Sequence, residues 1–294
     1  MTCLISLIAK RFFCVALSFV LVLLLAITST ANAAQEKNFR VFDCTTYPHK
    51  PDLTRFGVET IRIIYGDEMF GIPLETYFKR FGIGQKPDTL PSANWLSKLG
   101  NIYQTEPLVV LDYEGLKAYD VAKDKYRNDI EEYVWIVQQF KAGKRQKGSM
   151  VGYYGVPPIA DLGRVVYGKP TSSLRADNDI LKPLVDTVDV LFPSLYTRDP
   201  DPNDWLNIAA GTLAEARRIS QGKPIFAFIW PRYHEMNKVL GGKPIPSKLW
   251  RQQLEYLYEN ADGIVIWDGN QNLWNEDWPW WQETKVFLRL IGKY

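Results

Sequence analysis

Two carboxylates one residue apart close an apolar run: Leu108-Val109-Val110-Leu111 leads into Asp112-Tyr113-Glu114. On an extended strand, side chains two apart share a face, so Asp112 and Glu114 can meet over one opening. Two carboxyl groups held close in a partly dry site do not both ionise easily, and one keeps its proton near neutral pH. A carboxylic acid in that state can protonate the oxygen of a departing sugar. The same residues also suit a plainer role, with Asp112 capping the next segment and Glu114 as a solvated loop charge. Asp-x-Glu is too short a motif to choose between these.

Other chemistries find less support. His49 and His234 are far apart and have no second ligand at metal spacing, so no metal is expected. No Gly-x-Ser-x-Gly elbow is present, and no Gly-x-Gly-x-x-Gly follows the first apolar run, so neither a serine nucleophile nor a dinucleotide cofactor is expected. Arg232, in Trp230-Pro231-Arg232-Tyr233-His234, can grip a substrate carboxylate with two hydrogen bonds or pair internally with Asp268 or Glu235. The segment Trp274-Asn275-Glu276-Asp277-Trp278-Pro279-Trp280-Trp281 holds four tryptophans in eight positions. Indole faces stack on sugar rings, yet large aromatics also pack a final helix, expected over Trp281 to Ile291. Trp280 and Trp281 read as core; Trp274 and Trp278 fit either use.

At the start of the chain, Lys10 and Arg11 precede the apolar run Phe12 to Ile27, which ends near Ala31-Asn32-Ala33. That order is the pattern of a secretory signal peptide cleaved after Ala33, with a retained anchor as the alternative. The expectation is an exported or periplasmic protein, free of the membrane after cleavage. Removing Lys10 and Arg11 from 35 basic residues leaves 33, equal to the 33 acidic ones. A neutral chain has no electrostatic footprint for nucleic acid. Cys3 and Cys14 leave with the leader, so Cys44 has no disulfide partner. About 260 remaining residues suffice for one large packed core, expected as a single domain over 34–294 and as a monomer.

Short, continuously apolar runs occur at Phe39 to Cys44, Thr60 to Tyr65, Leu108 to Leu111, Met150 to Tyr154, Thr187 to Phe192, Ile225 to Trp230 and Gly263 to Trp267. Unbroken apolarity predicts parallel strands buried on both faces. Helical patterns lie between them, clearest at Asp129 to Ala142, Trp205 to Ser220 and Ser247 to Asn260, with Ser247 as an N-cap and Gly222 as a stop. The alternation predicts an α/β fold: a distorted TIM-type barrel of about seven parallel strands. Prolines gather after the runs, at Pro157-Pro158, Pro193, Pro200, Pro202 and Pro231, and mark the segments where a barrel builds its active site.

Asp112-Tyr113-Glu114 after an apolar strand resembles the strand end of the hyaluronidases. Ile64-Tyr65-Gly66-Asp67-Glu68-Met69-Phe70, Gly152-Tyr153-Tyr154, Leu191-Phe192-Pro193-Ser194-Leu195-Tyr196, Phe226-Ala227-Phe228 and Asp262-Gly263-Ile264-Val265-Ile266-Trp267 resemble further family strands, in the family's order. The resemblance runs from Phe39 to Gly269. It implies a retaining glycoside hydrolase acting on β-linked N-acetylhexosamine polymers, in which the substrate's own acetamido carbonyl attacks the anomeric carbon. Matched by position, Glu114 becomes acid and base, Asp112 orients the acetamido group, Tyr196 donates a hydroxyl to it, and Trp267 walls the sugar pocket. Tyr65, Phe228, Tyr233 and Trp274 join them as candidate substrate-binding residues.

The chain also departs from the family. Phe228 stands where a tyrosine is usual, which removes a hydroxyl unless Tyr233 replaces it. The family's paired disulfides are absent, which points to a distant, bacterial relative whose polymer need not be hyaluronan. Two further readings stay open: a barrel that binds glycan without cleaving it, and a glycosidase with a separate nucleophile such as Asp268.

Overall fold

The computed structural model describes residues 37–82, 87–113, 127–144, 148–159, 163, 165–269 and 272–294. The expected leader over residues 1–33 and the candidate acid Glu114 lie outside the described residues. Nine strands are found among those described: β1 (Arg40–Thr45), β2 (Glu59–Thr60), β3 (Arg62–Tyr65), β4 (Leu108–Asp112), β5 (Met150–Tyr153), β6 (Val165–Val166), β7 (Lys169–Pro170), β8 (Phe226–Ile229) and β9 (Gly263–Asp268). One sheet runs β2-β1-β9-β8 and another β3-β4-β5, parallel throughout, while β6 and β7 form a small antiparallel pair. The fold is α/β with parallel sheets.

Hydrogen bonding divides the expected seven-strand wall into these two sheets. Ile61 alone separates β2 from β3. On the opposite side, isolated parallel bridges pair Tyr154 with Phe192, Leu191 with Ile225 and Ser194 with Phe228.

The continuous apolar runs have the cause expected of them, for β8 and the first four residues of β4 are buried at every position. Alternate residues serve different cores. Val109, Leu111, Ile264, Ile266, Ala227 and Ile229 join a large cluster with the helices. Their neighbours Leu108, Val110, Val265, Phe226 and Phe228 meet Phe42, Ile63 and Phe192 in a smaller one. A strand faces opposite ways at successive residues, so the sheets are apolar on both faces.

Where the elements differ from the sequence reading, the cause is local. Thr187 to Phe192 is not a strand; the helix Lys182–Thr187 takes its start and only isolated bridges follow. Pro193 has no N–H for a ladder, and the Asp189 carboxylate is used on Lys141 Nζ (2.6 Å) and the Val151 N–H (3.0 Å). The helix Pro202–Ile219 begins three residues before Trp205, because Asp201 accepts from the Asn203 N–H (2.9 Å) and Pro202 enters the first turn. Ser220 is its C-cap, so Gly222, at φ 80°, serves the turn beyond. Ser247–Asn260 is helical as expected, but Pro246 occupies the N-cap position and Ser247 makes no cap bond. The last helix is Pro279–Leu290, and Trp280 and Trp281 are buried in the core as read. No described helix is long and apolar enough to cross a membrane.

The helices Ala93–Ile102 and Arg127–Gly143 cross at glycines. A Cβ on Gly100 would stand 1.9 Å from the Phe140 carbonyl oxygen, and one on Gly143 1.8 Å from that of Ser97. Backbone cannot retreat as a side chain end can, so Gly100→Ala is expected to lower stability by about 1–3 kcal/mol or more. Urea unfolding followed by circular dichroism checks this; an unchanged midpoint would mean the helices part freely.

Candidate functional site

The parallel strands deliver their last inward residues to one place. By the alternation that puts Leu108 and Val110 in the smaller core, Asp112 follows on the same face; Ile63 leads to Tyr65, Val265 to Trp267, and Phe228 to Trp230. Register keeps these ends level, with Tyr65 opposite Asp112 and Cys44 opposite Trp267. They surround a cleft of about 640 Å³, completed by Tyr154, Tyr196 and, from the helix Leu74–Phe81, Leu74 and Phe78. A groove of similar size, about 650 Å³, lies between Trp135 and Pro183 and shares no residue with it.

At the end of β4, Tyr113 packs into the larger core at 3% exposure while also lining the cleft, with the Tyr133 hydroxyl donating to its carbonyl at 3.0 Å. The Tyr153 hydroxyl in turn donates to the Tyr133 carbonyl at 2.9 Å. The backbone that presents Asp112 is therefore held by buried tyrosines.

Aromatic rings form the opposite wall. The Tyr196 ring lies 5.9 Å from Trp267 at 26°, 5.7 Å from Trp230 and 5.9 Å from Tyr154. Tyr154 Oη and Ser194 Oγ share a hydrogen bond of 3.1 Å. Burial first, then Tyr154 and Asp112, push the Tyr196 hydroxyl well above its ordinary pKa, so it keeps its proton as a donor. Burial likewise raises Tyr65 to about 12, against an opposing hydrogen bond from Trp267. Cys44 is raised to about 12 by burial and then by Asp43, which leaves no thiolate near neutral pH. His234, also on the cleft, is held below the usual histidine range by burial and then by Arg198.

Of the residues named from the sequence, Asp112, Tyr196, Trp267, Tyr65 and Phe228 come together here. Phe228 is 1% exposed and packs edge-on to Tyr154 at 5.0 Å, as part of the floor. Tyr233 does not join them: it is buried in the larger core, so the hydroxyl proposed to replace that missing at Phe228 is not in the cleft. Trp274 does not join either; its ring packs against Tyr47, Trp278, Trp280 and Trp281, and its Nε1 donates to Glu276 at 3.2 Å. Glu114 lies outside the described residues. Among the described residues no group of three His, Cys, Asp or Glu side chains could hold a metal.

Asp268 faces away from the cleft, one residue past Trp267. Its fully buried carboxylate accepts from the Tyr47 hydroxyl, from Trp230 Nε1 (2.9 Å) and from Arg232 Nε (2.9 Å). These donors occupy both oxygens, which removes the reading of Asp268 as nucleophile and settles Arg232 as its internal partner.

Tyr154, Trp230, Asp67, Leu74 and Phe78 went unread as site residues. For Tyr154 and Trp230 the signal was available, since each continues the inward alternation of its strand, Met150-Gly152-Tyr154 and Phe226-Phe228-Trp230. The helix that brings Leu74 and Phe78 has no such marker.

No family model matches the chain. Over 139 residues, 45% of the chain, it is 27% identical to a hyaluronidase of Polistes annularis, and 26% identical over the same length to one of Polybia paulista. These stretches cover 37% and 47% of the two relatives, so the chain matches less than half the length of either. In fold, 86% of the chain overlays 96% of bee venom hyaluronidase solved in complex with a hyaluronic acid tetramer, at a TM-score of 0.56 and 17% identity. A monoclinic crystal structure of the bee venom enzyme gives 0.53 and 16%, over 87% of this chain and 96% of that one. The sequence match is thus partial, and the likeness in fold spans 86% to 87% of this chain.

Asp268→Ala would leave Arg232 unpaired in a largely buried position, and is expected to cost about 3–5 kcal/mol in chemical unfolding. A loss under about 1 kcal/mol would mean that water already reaches the pair. For His234, whose folded pKa is depressed, the unfolded chain binds more protons between that value and 6.5. Stability is therefore expected to rise with pH across that window and to fall as pH drops through it. An NMR titration showing a His234 midpoint above 6.5 would contradict this.

Proposed function

We propose that this hyaluronidase-like chain is a glycoside hydrolase cleaving N-acetylhexosamine-containing polysaccharide internally, with Glu114 as its acid and base. The observation that carries the reading is the convergence of Asp112, Tyr196 and Trp267 on one cleft at the carboxyl ends of parallel strands. Active sites of parallel α/β folds lie at such ends.

In this reading the acetamido carbonyl of the sugar attacks its own anomeric carbon while Glu114 gives a proton to the departing oxygen. Asp112 accepts from the acetamido N–H, which holds the carbonyl in line. Tyr196, whose hydroxyl keeps its proton, donates to the acetamido oxygen. Water, deprotonated by Glu114, then opens the oxazolinium ring, and configuration is retained. Trp267 walls the pocket, and the Tyr154 hydroxyl adds a polar group beside Tyr196.

The two sheets are read as one distorted barrel wall of about seven stations. Continuity through Ile61 supports this on one side, and the bridges between β5, the Leu191–Ser194 segment and β8 support it on the other. Residues 1–33 are assigned as a cleaved leader and 34–294 as a monomeric barrel acting outside the cytoplasm. Phe228 favours a second reading, glycan binding without turnover, because one hydroxyl donor to the intermediate is missing.

Reducing ends released from hyaluronan, chondroitin, chitin and peptidoglycan test the proposal. Glu114→Gln is expected to lower turnover about 100-fold to 10,000-fold with oligosaccharide binding retained, and Tyr196→Phe about 100-fold. If the wild-type chain binds oligosaccharide and releases ends from none of the four polymers, the binding-only reading replaces this one.

A further inference from the structure

We propose that Tyr154 is a positioning residue for the acetamido group. Its hydroxyl, tied to Ser194, aims the Tyr196 proton at the acetamido carbonyl of a bound sugar and makes the cleft selective for sugars that carry this group. The proposal rests on the glycan reading of the cleft and adds what the site recognises.

Tyr154 stands between the two residues assigned to the acetamido group. Its N–H donates to the carbonyl of Leu111 (3.1 Å), the residue before Asp112, and the next N–H, of Gly155, donates to that of Phe192 (2.9 Å), four residues before Tyr196. The backbone is thus fixed from both sides. The ring is fixed as well: Phe228 meets it edge-on at 5.0 Å, Tyr196 lies 5.9 Å away at 36°, and both tyrosines pack on the smaller core. Phe228 has no hydroxyl, so the polar end of this group comes from Tyr154 and Ser194.

The hydroxyls form a row. Tyr154 Oη and Ser194 Oγ are 3.1 Å apart, and the Tyr196 hydroxyl bonds to Tyr154 at the other end. Each hydroxyl has one proton to give and room to accept, so the row can point either way. The bond to Tyr154 raises the Tyr196 hydroxyl, the sign expected when Tyr196 donates and Tyr154 accepts. A carbonyl oxygen can only accept. When one enters beside Tyr196 it takes that proton, and the row turns: Ser194 donates to Tyr154, and Tyr154 to Tyr196. Aligned in this sense each bond polarises the next, so Tyr196 holds the carbonyl more firmly than a lone hydroxyl would. A sugar with a plain hydroxyl at that carbon lacks the carbonyl that sets the row, and leaves polar groups of the site without their intended partner.

Binding is followed by tryptophan fluorescence, since Trp230 and Trp267 line the cleft. Hexamers of hyaluronan and of N-acetylglucosamine carry the acetamido group, and cellohexaose does not. At least one acetamido hexamer is expected to bind the wild-type chain about tenfold or more tighter than cellohexaose, and Tyr154→Phe, which removes one oxygen and keeps the ring, is expected to cut that ratio about fivefold. A purely structural loss would weaken all three probes alike. Ser194→Ala removes the far end of the row and is expected to lower the ratio too, which serves if Tyr154→Phe unfolds. In a Tyr196→Phe background, Tyr154→Phe is expected to change the ratio no further, because it acts through Tyr196. The proposal is overturned by a wild-type chain that favours neither acetamido hexamer, by a ratio that both variants leave untouched, or by losses at Tyr154 and Tyr196 that simply multiply. Release of reducing ends from the same hexamers separates this idea from hydrolysis. Selective binding that depends on Tyr154, without cleavage, sinks the hydrolase reading and leaves this one standing, whereas cleavage with a ratio that neither variant alters does the reverse.

Discussion

The carboxylate of Asp268 is the constraint around which the site wall is arranged. It is fully removed from water, and a charge in that position is tolerated only when its partners surround it. Those partners come from three places in the chain: Tyr47 after β1, Trp230 after β8 and Arg232 two residues further on. One buried anion therefore draws together the segments that follow neighbouring strands. Trp230 is fixed at its nitrogen while its ring meets Tyr196 and, at 5.1 Å, Trp267. The chemistry of the cleft would rest on rings whose positions are set from outside it.

The strands impose the second level of order. Because the chain turns over at each residue, the large core between sheets and helices and the small core beneath the cleft are built by alternating positions on the same short segments. The cleft is the continuation of the small core to the strand ends, where apolar side chains give way to Asp112, Tyr65 and Trp267. Their polarity belongs to the place where the strands stop and water begins.

Much of this was legible in the sequence because the dominant signal, a short unbroken apolar run, is the direct product of double burial. Six of the seven runs contain strand, and the run from Thr187 failed where a proline and a diverted Asp189 carboxylate broke the ladder. Asp112 could be named because it closes a run, whereas Tyr196 and Trp267 were named through the resemblance to the hyaluronidases. Tyr233 and Trp274 were misplaced because aromatic residues serve cores and sugar sites equally well, and only packing tells them apart. Leu74 and Phe78 reach the cleft from a helix laid over its edge, a long-range arrangement that no local pattern announces. Glu114, the residue on which the catalytic reading turns, lies outside the described residues and stands on sequence alone.

Ile61 has a consequence out of proportion to its size. The residues before it pair with β1 and those after it with β4, so one continuous stretch of chain serves as the seam between two sheets. Side-chain facing has a period of two, and a single added residue at that seam would invert everything downstream until the next turn. Ile64 would swing out of the helix-facing core toward the smaller one, and Tyr65 would turn from the mouth toward the helices. The seam therefore tolerates exchange of side chains more readily than any change in their number, and length variation in relatives of this fold is better accommodated in the loops beyond the strand tips.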